Sequence, residues 1–364
     1  MGEDIDESGI EKMSYSSYLR LHDLLSLQSG QKGNTRTIST NELHFIIVHQ
    51  NFELWFKLIL SELRTTRDLL AQVPVPEKAI PESVHHLERI TEIFKLMTQQ
   101  WKVMETLTPQ QFLAFRGELG TASGFESWQM RELESLVGQK DHSRVNDSPP
   151  SNHFKKMSTV SEEDSKAWKS LENAMNEKSI IEVVSSWLSR TPIQGSEYNS
   201  ESDDEVVNEF VENYLQKMKE NAEKSISKIE RESSEYTKIK SRYEQTVNDA
   251  RDFLLPEGKV NRTRAGLLFI ESYRDLPLLS WPRKLIDCLV ALEESMVVWR
   301  HNHARMVERI IGRRVGTGGS SGVDYLDMTT KYRVFTDLWG VRTLLLKTED
   351  LPELINQEYY SFHK

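Results

Sequence analysis

The chain has 364 residues with 46 Lys+Arg against 56 Asp+Glu, a formal net charge of −10. That balance, without a basic block, argues against general binding to a nucleic-acid backbone, and the lone cysteine, Cys288, excludes an internal disulfide, a thiolate zinc cluster and an iron–sulfur centre. An apolar fraction of 38% is enough for a core. No run approaches the ~18 apolar residues of a membrane span and the acidic start MGEDIDESGIEKM does not read as an export signal, so a soluble, cytoplasmic protein of one or two domains is expected.

In chain order, Ser39-Thr40-Asn41-Glu42 fits a capping box. Behind it, HFIIVHQNFELWFKLILSELRTTRDLL reads as a helix, with Glu53 and Lys57 four apart on one face. Apolar periodicity predicts a second helix over roughly 83–106, and Thr108-Pro109-Gln110-Gln111 starts a third with proline at its first position. Residues 139–153 and the acidic 189–205 read as loops. From 205 to about 254 sparse apolar positions (Phe210, Tyr214, Met218, Ile226, Ile229, Tyr236, Tyr243) suit long helices that bury one narrow stripe. Pro256-Glu257-Gly258 breaks the pattern, 262–275 and 282–312 resume it, and Gly312 ends it. A glycine-rich loop, 315–322, precedes a short helix or two. There is no internal repeat and no strand-like run long enough to require a sheet. The expected fold is all-α, one bundle-like domain over 1–364 with a helical insertion at about 155–255.

Three features could carry chemistry. The loop GTGGSSG lacks the Gly-Lys-Ser/Thr ending of a phosphate-binding loop, and Ser321 stands where a dinucleotide motif needs its third glycine. It suits either a plain connector or a loop whose amides and hydroxyls (Thr317, Ser320, Ser321) close over a small polar ligand. His49 has Phe45 four residues before it and Phe52 and Phe56 after it, and His303 shares its face with Trp299, Met306, Val307 and Ile310. Both patterns fit a core histidine. They also fit haem, which needs one protein donor and apolar walls, better than a bare metal ion, because neither histidine has the partner set of a helical metal site. Glu53 does follow His49 at four, but it is equally placed to pair with Lys57. His22, His85, His86, His142, His153 and His363 sit in polar or loop contexts and receive no role; His301 points elsewhere. In FLAFRGELGTASGF (112–125), Arg116 stands near a helix end, where its guanidinium suits either a surface ion pair or a carboxylate clamp.

In order, YSSYLRLHDLLSLQ (15–28), HFIIVHQNFELWFK (44–57), LTPQQFLAFRGELGTASGFES (107–127), RTRAGLLFIESYRDLPLLSWPRKLIDCLVALEE (262–294), WRHNHARMVERIIGRRVGTGGSSGVDYL (299–326) and YRVFTDLW (332–339) resemble tryptophan 2,3-dioxygenase. The resemblance runs from about residue 13 to about 345 and is weakest over 189–250 and beyond 346. It implies a haem b enzyme of tryptophan catabolism by the kynurenine pathway, inserting O₂ across the indole C2–C3 bond of L-tryptophan to give N-formyl-L-kynurenine. By the same resemblance His303 is the axial haem ligand, the metal-binding residue, and Ser123 and Gly124 line the haem side. His49 is the catalytic distal histidine that accepts the indole N–H, with Phe45 and Phe112 as pocket walls. Arg116 clamps the substrate carboxylate and Thr317 meets the amino-acid end. Tyr15, Tyr18 and Leu19 reach a neighbouring subunit's pocket, which implies a homotetramer.

The chain departs from the family pattern at Glu118, at Thr121 and in the run Glu126-Ser127-Trp128-Gln129, all beside Arg116 and Ser123. Two alternatives accompany this reading: a related haem oxygenase of secondary metabolism acting on a substituted tryptophan, and a non-catalytic haem- or tryptophan-binding protein.

Overall fold

The computed structural model describes residues 13–30, 37–120, 122–140, 150–229, 235–316 and 322–362. Two single-turn helices open it, α1 (Tyr15–Tyr18) and α2 (Leu21–Leu24), followed by α3 (Thr40–Leu70), α4 (Ala79–Met104) and α5 (Pro109–Arg116). Ser39 Oγ accepts the Glu42 N–H at 3.1 Å, relieving one of the amides that a helix start leaves open. At α5 the cap is reciprocal: Thr108 Oγ1 accepts from Gln111 N at 3.3 Å, and Gln111 Oε1 accepts from Thr108 N at 2.9 Å.

Next come α6 (Trp128–Val137), α7 (Pro150–Met157), α8 (Glu162–Asn176) and α9 (Ile180–Leu188). The charged stretch forms α10 (Asp203–Ile226) and α11 (Tyr236–Leu254), which pack on each other. Their stripe is asymmetric. Phe210, Tyr214 and Met218 are buried, whereas Tyr243 is exposed. The chain ends with α12 (Arg262–Ser272), α13 (Ser280–Ile311), α14 (Val323–Thr329) and α15 (Thr336–Gly340). Gly312, at φ 60°, terminates α13 as its sequence position predicts. Gly266 serves a different need: a Cβ there would stand 2.3 Å from the Leu188 carbonyl oxygen, so only glycine lets α12 cross α9 this closely.

The fold is all-α, with no strand among the described residues. One expectation needs correcting. Residues 139–153 are not a loop throughout, because α7 begins at Pro150, where proline tolerates a helix start and Phe154 is buried. None of the described helices is long and apolar enough to cross a membrane.

Helix α4 lies against both α3 and α13, while α3 and α13 stand further apart and meet through the rings of Phe52, Phe56 and Trp299. Helix α5 contacts α3 and α13 from another side. The arrangement leaves a space between two long helices whose inward faces are aromatic. Polar struts brace its outside: Arg64 pairs with Glu132, and Arg64 and Arg67 both reach Glu177, joining α3, α6 and the end of α8.

Candidate active site

The space between α3 and α13 is a cavity of about 660 Å³, within the range of small-molecule sites. Phe45, His49, Phe52 and Phe56 of α3 line it, with Trp101 and Met104 of α4, Phe112 and Arg116 of α5, and Trp299, His303 and Met306 of α13. Each donor set comes from a helical period: His49 and Phe45 are one turn apart, as are Trp299 and His303.

Phe45 stacks near His49 with ring centroids 4.0 Å apart, and Phe112 and Phe115 close the same wall at 5.9 and 5.7 Å from Phe45. His49 Nδ1 lies 2.8 Å from the Phe45 carbonyl oxygen. A carbonyl only accepts, so Nδ1 carries the proton and Nε2 keeps its lone pair. Burial holds this imidazole below the usual histidine range, against the raising influence of the Phe45 carbonyl. His49 is therefore a neutral acceptor at neutral pH.

His303 stacks on Trp101, with centroids 4.6 Å apart and planes 5° from parallel, and Trp299 flanks it at 5.7 Å. Burial drives its pKa down to about 3, helped by the nearby positive charge of Arg131 and any on His49. It is a neutral imidazole with a lone pair to give.

The cations lie around this apolar centre. Arg116 Nη2 donates to the Val315 carbonyl at 2.6 Å, tying α5 to the segment after α13. Arg131 and Arg300, both buried, share one carboxylate: Glu134 Oε2 accepts from Arg131 at 2.8 Å and Oε1 from Arg300 at 2.9 Å. Ser123 and Gly124 line the cavity at the 3₁₀ turn Gly124–Glu126, and nothing lies within 4 Å of where a Gly124 Cβ would be.

Of the residues singled out by sequence, His49, His303, Phe45, Phe112, Arg116, Ser123 and Gly124 converge on this one cavity. Tyr15, Tyr18 and Leu19 do not line it and are exposed, the two tyrosines at 74%. Thr317, with Ser320, Ser321 and Thr121, lies outside the described residues. Glu53 pairs with Gln129 Nε2 at 2.8 Å, an arrangement its spacing to Lys57 did not suggest. Sequence reasoning missed Trp101 and the Arg131–Glu134–Arg300 group. Only the i, i+3 spacing of Arg131 and Glu134, and of Arg300 and His303, could have signalled the second of these.

No three His, Cys, Asp or Glu side chains cluster as metal ligands among the described residues. The site's chemistry suits a large flat group that asks one donor of the protein. His303, buried, neutral and facing the cavity, has the chemistry such a donor would need. The buried Trp101 and Trp299 N–H groups and Arg131 Nε, all in residues lining the cavity, find no acceptor among the described residues, and a buried donor without an acceptor points to a ligand or water.

The tryptophan 2,3-dioxygenase family model matches residues 2–345. The chain belongs to the tryptophan 2,3-dioxygenase family. It is 41% identical over 368 residues to tryptophan 2,3-dioxygenase 2 of Ralstonia nicotianae, covering 97% of this chain and 98% of that one. It is 40% identical to the tryptophan 2,3-dioxygenase of Sorangium cellulosum (96% and 87% covered) and 34% identical to that of Dictyostelium discoideum (96% and 88%). This is a family of oxidoreductases.

Proposed function

We propose that this enzyme is a haem-dependent dioxygenase that inserts both atoms of O₂ across the indole C2–C3 bond of L-tryptophan, giving N-formyl-L-kynurenine. The observation that carries the reading is two neutral, enclosed imidazoles from different long helices, facing one aromatic cavity that has a guanidinium at its edge. Bound there, haem supplies the iron at which O₂ is activated. His303 would hold its iron, Ser123 and Gly124 would border it, and Arg131 would offer a buried positive charge to its carboxylates.

The chain's remaining task is positioning. Indole is already nucleophilic, so the advantage lies in holding the ring in one place and keeping water out. His49 Nε2 accepts the indole N–H, because Nδ1 is committed to the Phe45 carbonyl. Phe45 and Phe112 flank the ring. Arg116 exchanges the Val315 carbonyl for the substrate carboxylate, replacing a neutral acceptor by a charged one. Thr317 meets the amino-acid end. Tyr15, Tyr18 and Leu19 are exposed, as are Leu25 and Leu27, which suits residues that reach a neighbouring subunit's pocket in a homotetramer.

Reconstitution with haem, reduction and addition of L-tryptophan in air tests the proposal. The expected result is a Soret band followed by N-formylkynurenine absorbance. A Soret band and tryptophan binding without product would instead mark a sensor or carrier, and turnover of a substituted tryptophan alone would mark a relative of secondary metabolism.

A further inference from the structure

Arg116 reads only a carboxylate, so by itself it admits indole-3-alkanoic acids as readily as an α-amino acid. A zwitterion is distinguished by an anion placed for its ammonium group. Three carboxylates line the cavity, Glu53, Glu126 and Glu134. Glu134 is spanned by Arg131 and Arg300, and Glu53 takes the Gln129 amide.

Glu126 is held differently. Its Oε2 accepts the Ser123 N–H at 3.3 Å, which fixes the carboxylate against the turn that borders the cavity. Its Oε1 receives no hydrogen bond from the described residues: His153 Nε2 stands 3.3 Å away without forming one, and that nitrogen has no hydrogen-bond partner among them. The Glu126 side chain is 25% exposed, so the oxygen is open to a ligand. Arg116 and Glu126 stand at the two ends of the connector between α5 and α6, and both line the cavity.

We propose that Glu126 Oε1 is the seat for the ammonium group of an α-amino-acid substrate whose carboxylate is held by Arg116, making Glu126 a specificity residue. This rests on the tryptophan reading of the site. The pair of opposite charges selects zwitterionic amino acids and disfavours the des-amino acid, which pairs with Arg116 but brings no cation for Glu126.

The test is equilibrium titration of the haem-loaded protein with L-tryptophan and with indole-3-propionate. Wild type is expected to prefer L-tryptophan. Glu126→Gln keeps an acceptor for the Ser123 N–H while removing the charge, and is expected to weaken L-tryptophan binding about fivefold and leave indole-3-propionate unchanged or tighter. Glu126→Asp, which keeps the charge but fits the turn less well, is expected to weaken L-tryptophan less than Glu126→Gln does. Equal shifts for both ligands, no shift for L-tryptophan, or the reverse order of the two variants would assign Glu126 to the turn alone and overturn the proposal. Wild type binding neither ligand would overturn the tryptophan reading with it, whereas normal wild-type binding with an indifferent Glu126→Gln sinks only this one.

Discussion

The cavity wall and the lobe formed by α9, α10, α12 and the C-terminal residues bury aromatic side chains equally well but treat their polar atoms in opposite ways. In the lobe each large tyrosine is satisfied. Tyr214 donates to the Leu344 carbonyl at 3.2 Å, Tyr273 to that of Pro352 at 2.7 Å, and Tyr360 to that of Pro192. These bonds pin the tail, residues 341–362, to the helices. At the cavity, Trp101 and Trp299 are buried too, yet neither indole N–H finds an acceptor among the described residues. In the first region the chain itself supplies the acceptor for each buried tyrosine hydroxyl. The second is shaped for something added later, and an unmet donor beside an aromatic void is a better guide to a ligand than the void itself.

The largest expected break in that contrast is His303→Ala, which should abolish haem retention and activity together while leaving the lobe folded. Soret absorbance and far-UV circular dichroism check it, and a full Soret band with turnover would refute the axial assignment. Next, Arg116→Ala should weaken tryptophan binding about 10- to 100-fold, and His49→Ala only about 2- to 10-fold, since a bond to a charged group outweighs a neutral one. Substrate methylated at the indole nitrogen should narrow the His49 effect further. An inactive His49→Ala with normal haem content would point to obligate base catalysis instead.

On the lobe side, Tyr273→Phe removes the donor to a buried carbonyl and should lower unfolding stability by about 1–3 kcal/mol without changing haem affinity. Denaturant titration of both quantities decides it, and a parallel fall in haem affinity would erase the distinction between the regions. The smallest effect is on pH. Burial holds His303 near 3 and His49 below the ordinary 6.5. Below about pH 6.5 the unfolded chain therefore binds protons that the folded apoprotein refuses, and stability should fall as acid is added, by at most about 1.4 kcal/mol per pH unit for each histidine. Replacing His303 with a residue that does not titrate should flatten that slope.

Much of this was legible in the residues. Ser39, Thr108-Pro109 and Gly312 mark helix ends by the chemistry that free amides and carbonyls demand, and the structure keeps all three. Placing His49 and His303 on apolar faces needed only periodicity. Their convergence did not follow from it: more than two hundred positions separate them, and only the resemblance joined them beforehand. Glu134 and Arg300 were invisible for the same reason, since a pair 166 residues apart leaves no local trace. His153 was passed over because the polar run before it read as loop, while Phe154 beside it anchors a helix.

The connector from Arg116 to Glu126 bears the charged groups assigned to the two ends of the substrate, yet none of its described residues is buried. Exchanges at such positions ordinarily move folding stability by no more than about 0.5 kcal/mol, whereas the imidazoles sit on long helices wedged among aromatic rings. If Arg116 and Glu126 hold the two ends of the substrate, exchanges at those two positions should rewrite what the enzyme accepts while the helices that carry the imidazoles are left untouched.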